Sequence, residues 1–547
     1  MLGRPFDPDA LFSDEEIRNA RRQLRRQWRD TGRYDGRTLP EALADSARAT
    51  PDLQLVLHSL ERPSVFTLEE LRRDSLAMAG ALASTGLQRG DVAAVQLPNW
   101  RETAVAYTAL ATLGVVFVPI VHTYGHRETD WILRASGARM YICPDRWGNL
   151  DFASRLGDMP ATADLDVVIV GEDVPAGATA WSDLQDRARA EPAFEPMALD
   201  ASDPALIVYT SGTTADPKGV IHTHETFVTE VRDIFAPPVC DKDMVALHPF
   251  PAGHIAGLIM LFNPVVAGLR NVLLDRWDPE AAADQIEACR VTLVNGTPFH
   301  VGALLDMHEA GDRRLATVKE ATCGAAGVPP SLVERSERLG WPMRRTYGSS
   351  EHPSVSFGLR STPLRDRART DGVIYEGTGL RIVDDAGRDL GPGEEGEIWT
   401  IGPDQFLGYT DPALNEAAFA PGGWFRTGDV GVLDHRGNLT ITDRIKDIII
   451  RGGENLSSLE IEDLVRRHPS VAEAAAVGMP DQRYGERVCV FVKPTADGHA
   501  PSVAALADHF AQLGVAKQKT PEKVMEVADF PRTASGKVKK SELRKQL

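Results

Sequence analysis

One loop holds most of the residues suited to binding phosphate. Residues 209–220 follow the apolar run 205–208, which predicts a buried strand. The loop carries hydroxyls, two glycines and a lysine, and these residues are Tyr209, Thr210, Ser211, Gly212, Thr213, Thr214, Lys218 and Gly219. Such a loop can surround a polyphosphate with hydroxyl and backbone N–H donors and one positive charge. A surface turn is the simpler interpretation, because Asp-Pro and Gly are also common turn residues.

Three later motifs place charged side chains beside glycine or serine. Residues 347–352 read Tyr-Gly-Ser-Ser-Glu-His, and Mg²⁺ prefers a carboxylate such as Glu351 together with substrate phosphates. Asp429 follows a glycine, which is also a common turn arrangement. Lys537 follows Ser-Gly near the end of the chain, where a lysine is normally a solvated charge.

Two segments rich in small residues suit the wall of a pocket. Residues 250–257 contain His254 and Gly257, although a single histidine is usually structural. Residues 321–327 read Ala-Thr-Cys-Gly-Ala-Ala-Gly and predict a strand that ends in small residues. Tight packing of backbone layers is the alternative explanation for such a segment.

Together these motifs resemble, in type, order and spacing, those of the adenylate-forming (AMP-binding) superfamily of acyl-CoA synthetases, amino-acid-activating domains and beetle luciferase. Within it, the chain looks most similar to bacterial medium-chain fatty acid and cyclohexanecarboxylate CoA ligases. Two positions depart from the usual motifs, since Ala215 replaces a glycine and Ser350 replaces a threonine. The resemblance implies an α/β fold with a large multi-layer N-terminal domain, made of two αβα subdomains and a small β-barrel, and a smaller mobile α+β C-terminal domain.

The resemblance also implies roles for the motif residues. The ATP and AMP site would comprise Thr210, Ser211, Gly212, Thr213, Thr214, Lys218, Gly324, Ala325, Ala326, Tyr347, Gly348, Ser350, Asp429 and Arg444. The acyl pocket would include His254, Gly257 and Gly324, whose small neighbours leave room for an acid larger than acetate. Lys537, Glu351 and Lys218 would be catalytic, with Glu351 also holding Mg²⁺.

The resemblance divides the chain at a hinge. Residues 1–443 would form the adenylation domain, residues 444–447 the hinge with Lys446, and residues 448–547 the mobile domain. Gly452 and Gly453 would let the pantetheine arm of coenzyme A pass close to the backbone. A domain motion about Lys446 would then exchange Lys537 for the Gly452–Gly453 face between the two half-reactions.

The implied reaction joins a carboxylic acid to ATP, giving acyl-AMP and pyrophosphate, and then transfers the acyl group to coenzyme A. One alternative is an acyl-AMP ligase that loads a separate carrier protein. A luciferase-like oxygenase and an inactive binding protein with the same fold are further alternatives. The combined presence of Lys218, Glu351, Asp429, Arg444 and Lys537 argues against the inactive protein.

The elements that must position these residues alternate along the chain. Helix and strand signals follow each other from residue 66 to 143, which predicts α/β layers with a largely parallel sheet. Residues 13–16, Ser-Asp-Glu-Glu, predict the start of a charged helix. Its arginines are expected on a solvated face, and they are Arg21, Arg22, Arg25 and Arg26.

Length, charge and cysteine content limit the classes of partner and compartment that suit this protein. A chain of 547 residues is too long to fold around a single hydrophobic core. Its net charge of −18 argues against nucleic acid and anionic membranes as partners. The five cysteines are far apart without a Cys-x-x-Cys, which favours a reducing cytoplasm, and the charged first positions do not resemble a signal peptide. Uncharged stretches at 103–121 and 244–269 contain proline and glycine and predict buried helix–strand pairs instead of membrane spans. A homodimer is among the assemblies compatible with the sequence.

Overall fold

The structure is a computed structural model that describes residues 7–190, 194–210, 217–236, 241, 243–451, 454–496, 498–513 and 515–547. Six of the predicted site residues lie outside these ranges, namely Ser211, Gly212, Thr213, Thr214, Gly452 and Gly453. The described residues form three main sheets with helices packed around them.

Parallel strands form one half of the largest sheet, which has 14 strands in the described part of the chain. In spatial order they are Gln54–His58, Arg270–Leu274, Val245–His248, Leu293–Gly296, Glu320–Gly324 and Met343–Tyr347, with Ser64–Thr67 antiparallel at the outer edge. All four residues of Val245–His248 are buried, as expected for a parallel strand covered on both faces. In such sheets ligands bind beyond the carboxyl ends of the strands, where Gly324 and Tyr347 lie.

Antiparallel strands form the other half of this sheet. They are Ser356–Phe357, Gly372–Ile374, Asn438–Arg444, Trp424–Leu433, Glu395–Ile401 and Gly379–Val383, with Phe419–Ala420 paired to Trp424–Leu433. The resemblance implied a small β-barrel, but among the described residues these strands pair as an open continuation of the large sheet, joined to the parallel half through Met343–Tyr347. The registers bring Asp429 opposite Arg444, so two predicted site residues face each other on neighbouring strands.

A second sheet of eight strands carries the two ends of the predicted phosphate loop. Its spatial order is Gly408–Tyr409, Lys218–Thr223, Pro204–Thr210, Val116–Pro119, Val92–Val95, Met140–Pro144, Asp166–Val170 and Thr179–Ala180. The first three strands pair antiparallel and the remainder pair parallel. Thr210 pairs with Lys218, so the loop joins two neighbouring strands.

Helices cover both sheets. Those of the large domain are Glu15–Asp30, Leu39–Ala49, Leu68–Ser84, Arg101–Thr112, His126–Ser136, Phe152–Arg155, Trp181–Ala190, His224–Ile234, Ile255–Val266, Pro279–Cys289, Pro298–Glu309, Pro330–Arg338, Leu364–Arg367 and Pro412–Ala418. The uncharged stretches predicted as buried helix–strand pairs are found as such, for example in Arg101–Thr112 followed by Val116–Pro119. Every helix within the described ranges is too short or too polar to span a membrane.

The smaller C-terminal domain has its own sheet and core. Its strands lie in the order Glu454–Leu456, Ile449–Arg451, Gly485–Pro494 and Val471–Asp481, with Lys523–Glu526 parallel to Gly485–Pro494. Its helices are Ser458–Arg466, Val503–Gln512 and Lys540–Arg544. The predicted hinge, 444–447, begins where Asn438–Arg444 ends and forms a turn in which the Asp447 N–H donates to the carbonyl of Arg444 at 2.9 Å.

The N-terminal helix, Glu15–Asp30, corrects one expectation. Its N-cap is Asp14, whose side chain accepts from the Ile17 N–H at 3.1 Å. Its arginines are not all on a solvated face, because Arg21 is 3% exposed and Arg25 is 8% exposed. The cluster of arginines suggested a solvated face, but these two side chains are buried, and Arg21 donates to Gln405 and Phe406 of the large domain.

Candidate active site

The strand Lys218–Thr223 holds the lysine of the phosphate loop beside an aromatic ring. Lys218 Nζ lies 5.1 Å from the centre of the Tyr409 ring, a distance that allows a cation–π interaction. The antiparallel pairing of Val220 with Tyr409 fixes this arrangement. Gly219 is required here, because a Cβ at this position would lie 2.6 Å from Thr410 Oγ1.

Glu351 lies in a tight turn that follows the strand Met343–Tyr347. The Ser349 N–H donates to the carbonyl of His352 at 2.9 Å, and a Cβ on Gly348 would lie 1.8 Å from the carbonyl oxygen of Pro353. The turn therefore needs glycine at 348. The carbonyl of Ser350 accepts from Nε2 of the buried His222 at 2.8 Å. Burial lowers the pKa of His222 to about 4, so this ring is a neutral donor.

Tyr409 ties Glu351 to the phosphate-loop lysine. Its hydroxyl donates to Glu351 Oε1 at 2.7 Å, while its ring faces Lys218. Burial and the nearby carboxylate of Glu351 raise the pKa of Tyr409, so the hydroxyl stays a donor. Sequence reasoning did not assign Tyr409 a role, and the Gly-Tyr pair that precedes the Asp429 motif was the available signal.

Asp429 connects three predicted nucleotide-binding residues. Its carboxylate accepts from the Tyr347 hydroxyl at 2.6 Å and from Arg444 Nε at 2.8 Å, and its side chain is 5% exposed. Charge attraction to Asp429 raises the pKa of Arg444. Tyr347, Asp429 and Arg444 thus form one hydrogen-bonded group between the end of a parallel strand and the antiparallel half of the sheet.

The Lys537 loop is built by Thr533 and Gly536. The Thr533 N–H donates to the carbonyl of Lys537 at 2.7 Å, and Thr533 Oγ1 accepts from the Lys537 N–H at 3.1 Å. Gly536 has a φ of +81°, which glycine adopts without strain. The Pro-x-Thr-x-x-Gly-Lys pattern therefore encodes a closed turn that projects Lys537.

The same loop contacts the large domain. A Cβ on Gly536 would lie 3.0 Å from Thr297 Oγ1 and from His300 Cε1, and the guanidinium of Arg532 lies 4.8 Å from the centre of the Phe299 ring. These three contacted residues lie at the start of the helix Pro298–Glu309. Sequence reasoning missed the contact surface, because it joins residues more than 230 positions apart.

Lys537 lies in the charge field of the other candidate residues. Burial, and then the charge of Arg444, lower the pKa of Lys537 to about 8, while Asp429 and Glu351 act in the opposite direction. The charge of Lys446 also lowers the pKa of Lys537. The structure thus brings together Lys218, Glu351, Asp429, Arg444 and Lys537, which are scattered over 320 positions of the sequence.

His254 belongs to the same neighbourhood. It caps the helix Ile255–Val266, and its Nδ1 accepts from the Ala256 N–H at 3.2 Å. Burial, and then the charge of Lys537, lower the pKa of His254 to about 3. The ring is neutral at physiological pH, and because Nδ1 is an acceptor its proton lies on Nε2.

The small residues of the predicted pocket divide into packing positions and accessible ones. A Cβ on Gly257 would lie 2.1 Å from the carbonyl oxygen of Pro251, and one on Gly324 would lie 2.3 Å from Thr346 Oγ1. Both glycines therefore permit close packing. Ala325 has a φ of +62° and Ala326 is exposed. A non-glycine residue at positive φ is strained and is typical of functional sites.

A magnesium site of the type implied by the resemblance fits this arrangement. Mg²⁺ in nucleotide enzymes commonly uses one or two carboxylates together with substrate phosphates. Glu351 supplies one carboxylate beside the phosphate-loop lysine. Within the described residues, no group of three or more His, Cys, Asp or Glu side chains forms a self-sufficient metal site.

Comparison with known proteins agrees with this geometry. The family model for AMP-binding enzymes matches residues 43–410, and the model for the AMP-binding enzyme C-terminal domain matches residues 460–537. The chain is 32% identical to a medium-chain fatty-acid–CoA ligase of Escherichia coli K12, over 100% of this chain and 97% of the relative. It is 30% identical to a feruloyl-CoA synthase of Amycolatopsis sp, over 91% of this chain and 97% of the relative.

A solved structure agrees as well. The structure of ATP-bound MatB from Rhodopseudomonas palustris superposes with a TM-score of 0.82 at 26% identity, covering 93% of this chain and 99% of MatB. The fold, the assembled charged residues and the similarity over the full chain point the same way. The chain belongs to the AMP-binding enzyme family and is an AMP-forming acid–thiol ligase.

Proposed function

We infer that this enzyme activates a medium-chain, cyclic or otherwise bulky carboxylic acid with ATP and transfers the acyl group to coenzyme A. The observation that carries this proposal is the contact of the Lys537 loop with the large domain. That contact puts Lys537 in the charge field of Glu351, Asp429 and Arg444. A lysine supplied by a separate domain to such a group suits the transfer of an adenylyl group to a carboxylate.

The first half-reaction needs positive charge where negative charge develops. As the acid carboxylate attacks the α-phosphate, Lys537 and Lys218 are proposed to stabilise the charge on the carboxylate and the phosphates. Mg²⁺, held by Glu351 and the substrate phosphates, would neutralise phosphate charge. Asp429 and Arg444 are proposed to orient the ribose, and Tyr347 to stack on adenine.

The acyl group is proposed to lie near His254 and the Ala325–Ala326 turn. Nε2 of His254 carries a proton and can donate to a substrate oxygen without adding charge. The similar relatives are named for a medium-chain fatty acid and for ferulate. Both acids are larger than acetate, which supports a roomy pocket bordered by the small side chains of Ala325 and Ala326.

The second half-reaction is proposed to follow a motion about Lys446 that replaces Lys537 by the face bearing Gly452 and Gly453. The coenzyme A thiol would then attack the acyl carbon, and AMP would leave. Sequence similarity to relatives named as CoA ligases and synthases supports coenzyme A as the acceptor.

One assay tests this function directly. AMP release is measured with Mg·ATP across straight-chain, cyclohexane, aromatic and steroid side-chain acids, with and without coenzyme A. We expect turnover that requires coenzyme A and is fastest with one bulky class. Acetate preferred over every larger acid would contradict the acyl assignment. The enzyme could instead release pyrophosphate, retain acyl-AMP and show no turnover when coenzyme A is added. That result would indicate a carrier protein, and not coenzyme A, as the acceptor. Absence of ATP–pyrophosphate exchange with every acid would overturn the adenylation itself.

A further inference from the structure

The N-terminal helix lies outside both family models and reaches the back of the candidate active site. Arg21, in the middle of this helix, is buried, and its guanidinium has three acceptors in one segment of the large domain. Nη1 donates to the side chain of Gln405. Nη2 donates to the carbonyls of Phe406 at 2.5 Å and Leu407 at 3.3 Å.

The other side of this segment faces the site. The Phe406 N–H donates to the carbonyl of Glu351 at 2.7 Å, and the Leu407 N–H donates to the carbonyl of Ile221 at 2.8 Å. Ile221 belongs to the strand that begins with Lys218. Phe406 and Leu407 therefore use their carbonyls to accept from Arg21 and their N–H groups to bond the Glu351 turn and the strand that begins with Lys218.

A second connection reaches the same place from the residues before the helix. The carbonyl of Leu11 accepts from Asn415 Nδ2 at 3.0 Å, and Asn415 Oδ1 accepts from the Tyr409 N–H at 2.7 Å. Tyr409 in turn donates to Glu351. The N-terminal segment thus bonds directly to Phe406 and Leu407, and it reaches Tyr409 through Asn415.

The chemistry of Arg21 argues against simple packing. All three acceptors are uncharged, so the guanidinium is buried without the attraction of a carboxylate at these contacts. Burying a cation is unfavourable, and Nε of Arg21 finds no acceptor among the described residues, whereas an apolar side chain would fill the same space without that penalty. The planar fork of arginine can hold several backbone carbonyls in a fixed relative geometry, which an apolar side chain cannot.

We propose that Arg21 is a positioning residue that holds segment 405–409, and through it Glu351, in the geometry needed to bind the metal–nucleotide substrate. This proposal rests on the proposed function, because it assigns Glu351 to that substrate. It gives the N-terminal helix a part in the reaction although no motif residue lies on it.

The test compares Arg21→Met and Arg21→Lys with Arg26→Met, a matched control at an exposed position of the same helix. The first readout is hydrogen exchange at the Phe406 and Leu407 amides in the ligand-free enzyme. We expect faster exchange in both Arg21 variants and unchanged exchange in Arg26→Met. Arg21→Lys keeps the charge but cannot reach three acceptors, so it is the milder variant and remains informative if Arg21→Met does not fold.

The second readout is calorimetric binding of Mg²⁺ with an ATP analogue that has a methylene group between the α- and β-phosphorus atoms. We expect affinity to fall by about tenfold in Arg21→Met, the size typical of losing a residue that orients a metal ligand. Thioester formation from supplied acyl-AMP should stay within about twofold of the control.

Unchanged amide exchange and analogue binding in Arg21→Met, with only a lower melting temperature, would overturn the proposal. Failure of the proposed function is distinguishable, because it appears as absent ATP–pyrophosphate exchange in the unmodified enzyme. Failure of the Arg21 proposal leaves that exchange intact.

Discussion

Lys537 combines a flexible side chain with a fixed turn. Thr533 and Gly536 close the turn, so the lysine backbone is held while the ammonium can follow the reacting groups. The ammonium is a compact point charge, and its interaction with developing charge is strengthened where water is excluded. Its contribution should therefore belong to adenylation and not to the thioester step.

Replacing this lysine should separate the two half-reactions. We expect Lys537→Ala to lower the rate of ATP–pyrophosphate exchange by roughly 10²- to 10³-fold, the scale of losing one preorganised charge at a transition state. Thioester formation from supplied acyl-AMP should survive. Lys539→Ala, two residues away at an exposed position, is the matched control. An equal loss in both half-reactions would refute the assignment of Lys537 to adenylation.

The lowered pKa of Lys537 predicts a pH dependence. Burial favours the neutral amine, so the charged form is complete well below pH 8 and is lost as pH rises through about 8. We expect kcat/KM for adenylation, which reports the free enzyme, to fall above about pH 8. Lys537→Arg should lose this alkaline limb while retaining some activity, because a guanidinium stays charged. If Lys537→Ala shows the same fall in kcat/KM at alkaline pH, another group causes that fall.

Much of the site could be predicted at the scale of motifs, because each motif encodes its own turn. Gly536 and Gly348 permit turns whose shape depends on residues within a few positions. The resemblance therefore predicted which charged residues meet. Tight packing was the alternative explanation for the segment that contains Gly324, but the close contacts of Gly257 and Gly324 could not be predicted, because they depend on where Pro251 and Thr346 place their oxygens. The burial of Arg21 was missed for a similar reason, since its acceptors lie 384 to 386 residues away.

At the scale of elements, the start of the helix Pro298–Glu309 is the surface on which the Lys537 loop rests. Gly536 lies against Thr297 and His300, and Arg532 lies over the ring of Phe299. Burial lowers the pKa of His300 to about 3, so this histidine adds no charge that would repel Arg532. Arg532 is also held by Glu473 at 2.5 Å, which fixes it within the small domain.

Removing the ring should weaken this contact. A cation–π pair contributes about 0.5–2 kcal/mol, so we expect Phe299→Leu to slow adenylation by roughly 2- to 30-fold. Phe299→Tyr keeps an aromatic face and should stay near the unmodified rate. Single-turnover formation of acyl-AMP at saturating acid measures the effect. Thioester formation from supplied acyl-AMP reduced to the same extent as adenylation would show that Phe299 acts on both steps and not through the Lys537 loop.

At the scale of the whole molecule, the arrangement seen here presents Lys537 to the large domain. Contacts across the predicted hinge support it, because Ser457 Oγ donates to the carbonyl of Thr442 at 2.6 Å and the Ser458 N–H donates to Asp443 at 2.5 Å. The proposed motion about Lys446 would have to break these contacts. The two half-reactions should then require two domain arrangements.

A reversible crosslink tests this requirement. We expect Phe299→Cys with Arg532→Cys, joined by a short dithiol-reactive linker, to keep ATP–pyrophosphate exchange and lose thioester formation. Reduction should restore the second step. Each single-cysteine variant treated with the same reagent is the control for reaction at native cysteines. Cys143, Cys323 and Cys489 are buried and Cys289 is partly buried, while Cys240 lies outside the described residues. A crosslinked enzyme that still turns over with coenzyme A would exclude the domain motion.

Arg21 is synthesised long before its acceptors, because they are far apart in the sequence. The carbonyl of Phe406 is made 385 residues after Arg21. At about 5–20 residues per second, that interval is roughly 20–80 s on the ribosome. Until then Arg21 lacks its acceptors, although Trp28 on the same inward face of the helix can already pack against Tyr34. This helix therefore completes its contacts with the large domain late in synthesis, and chaperones that act during translation have part of its inward face available to them.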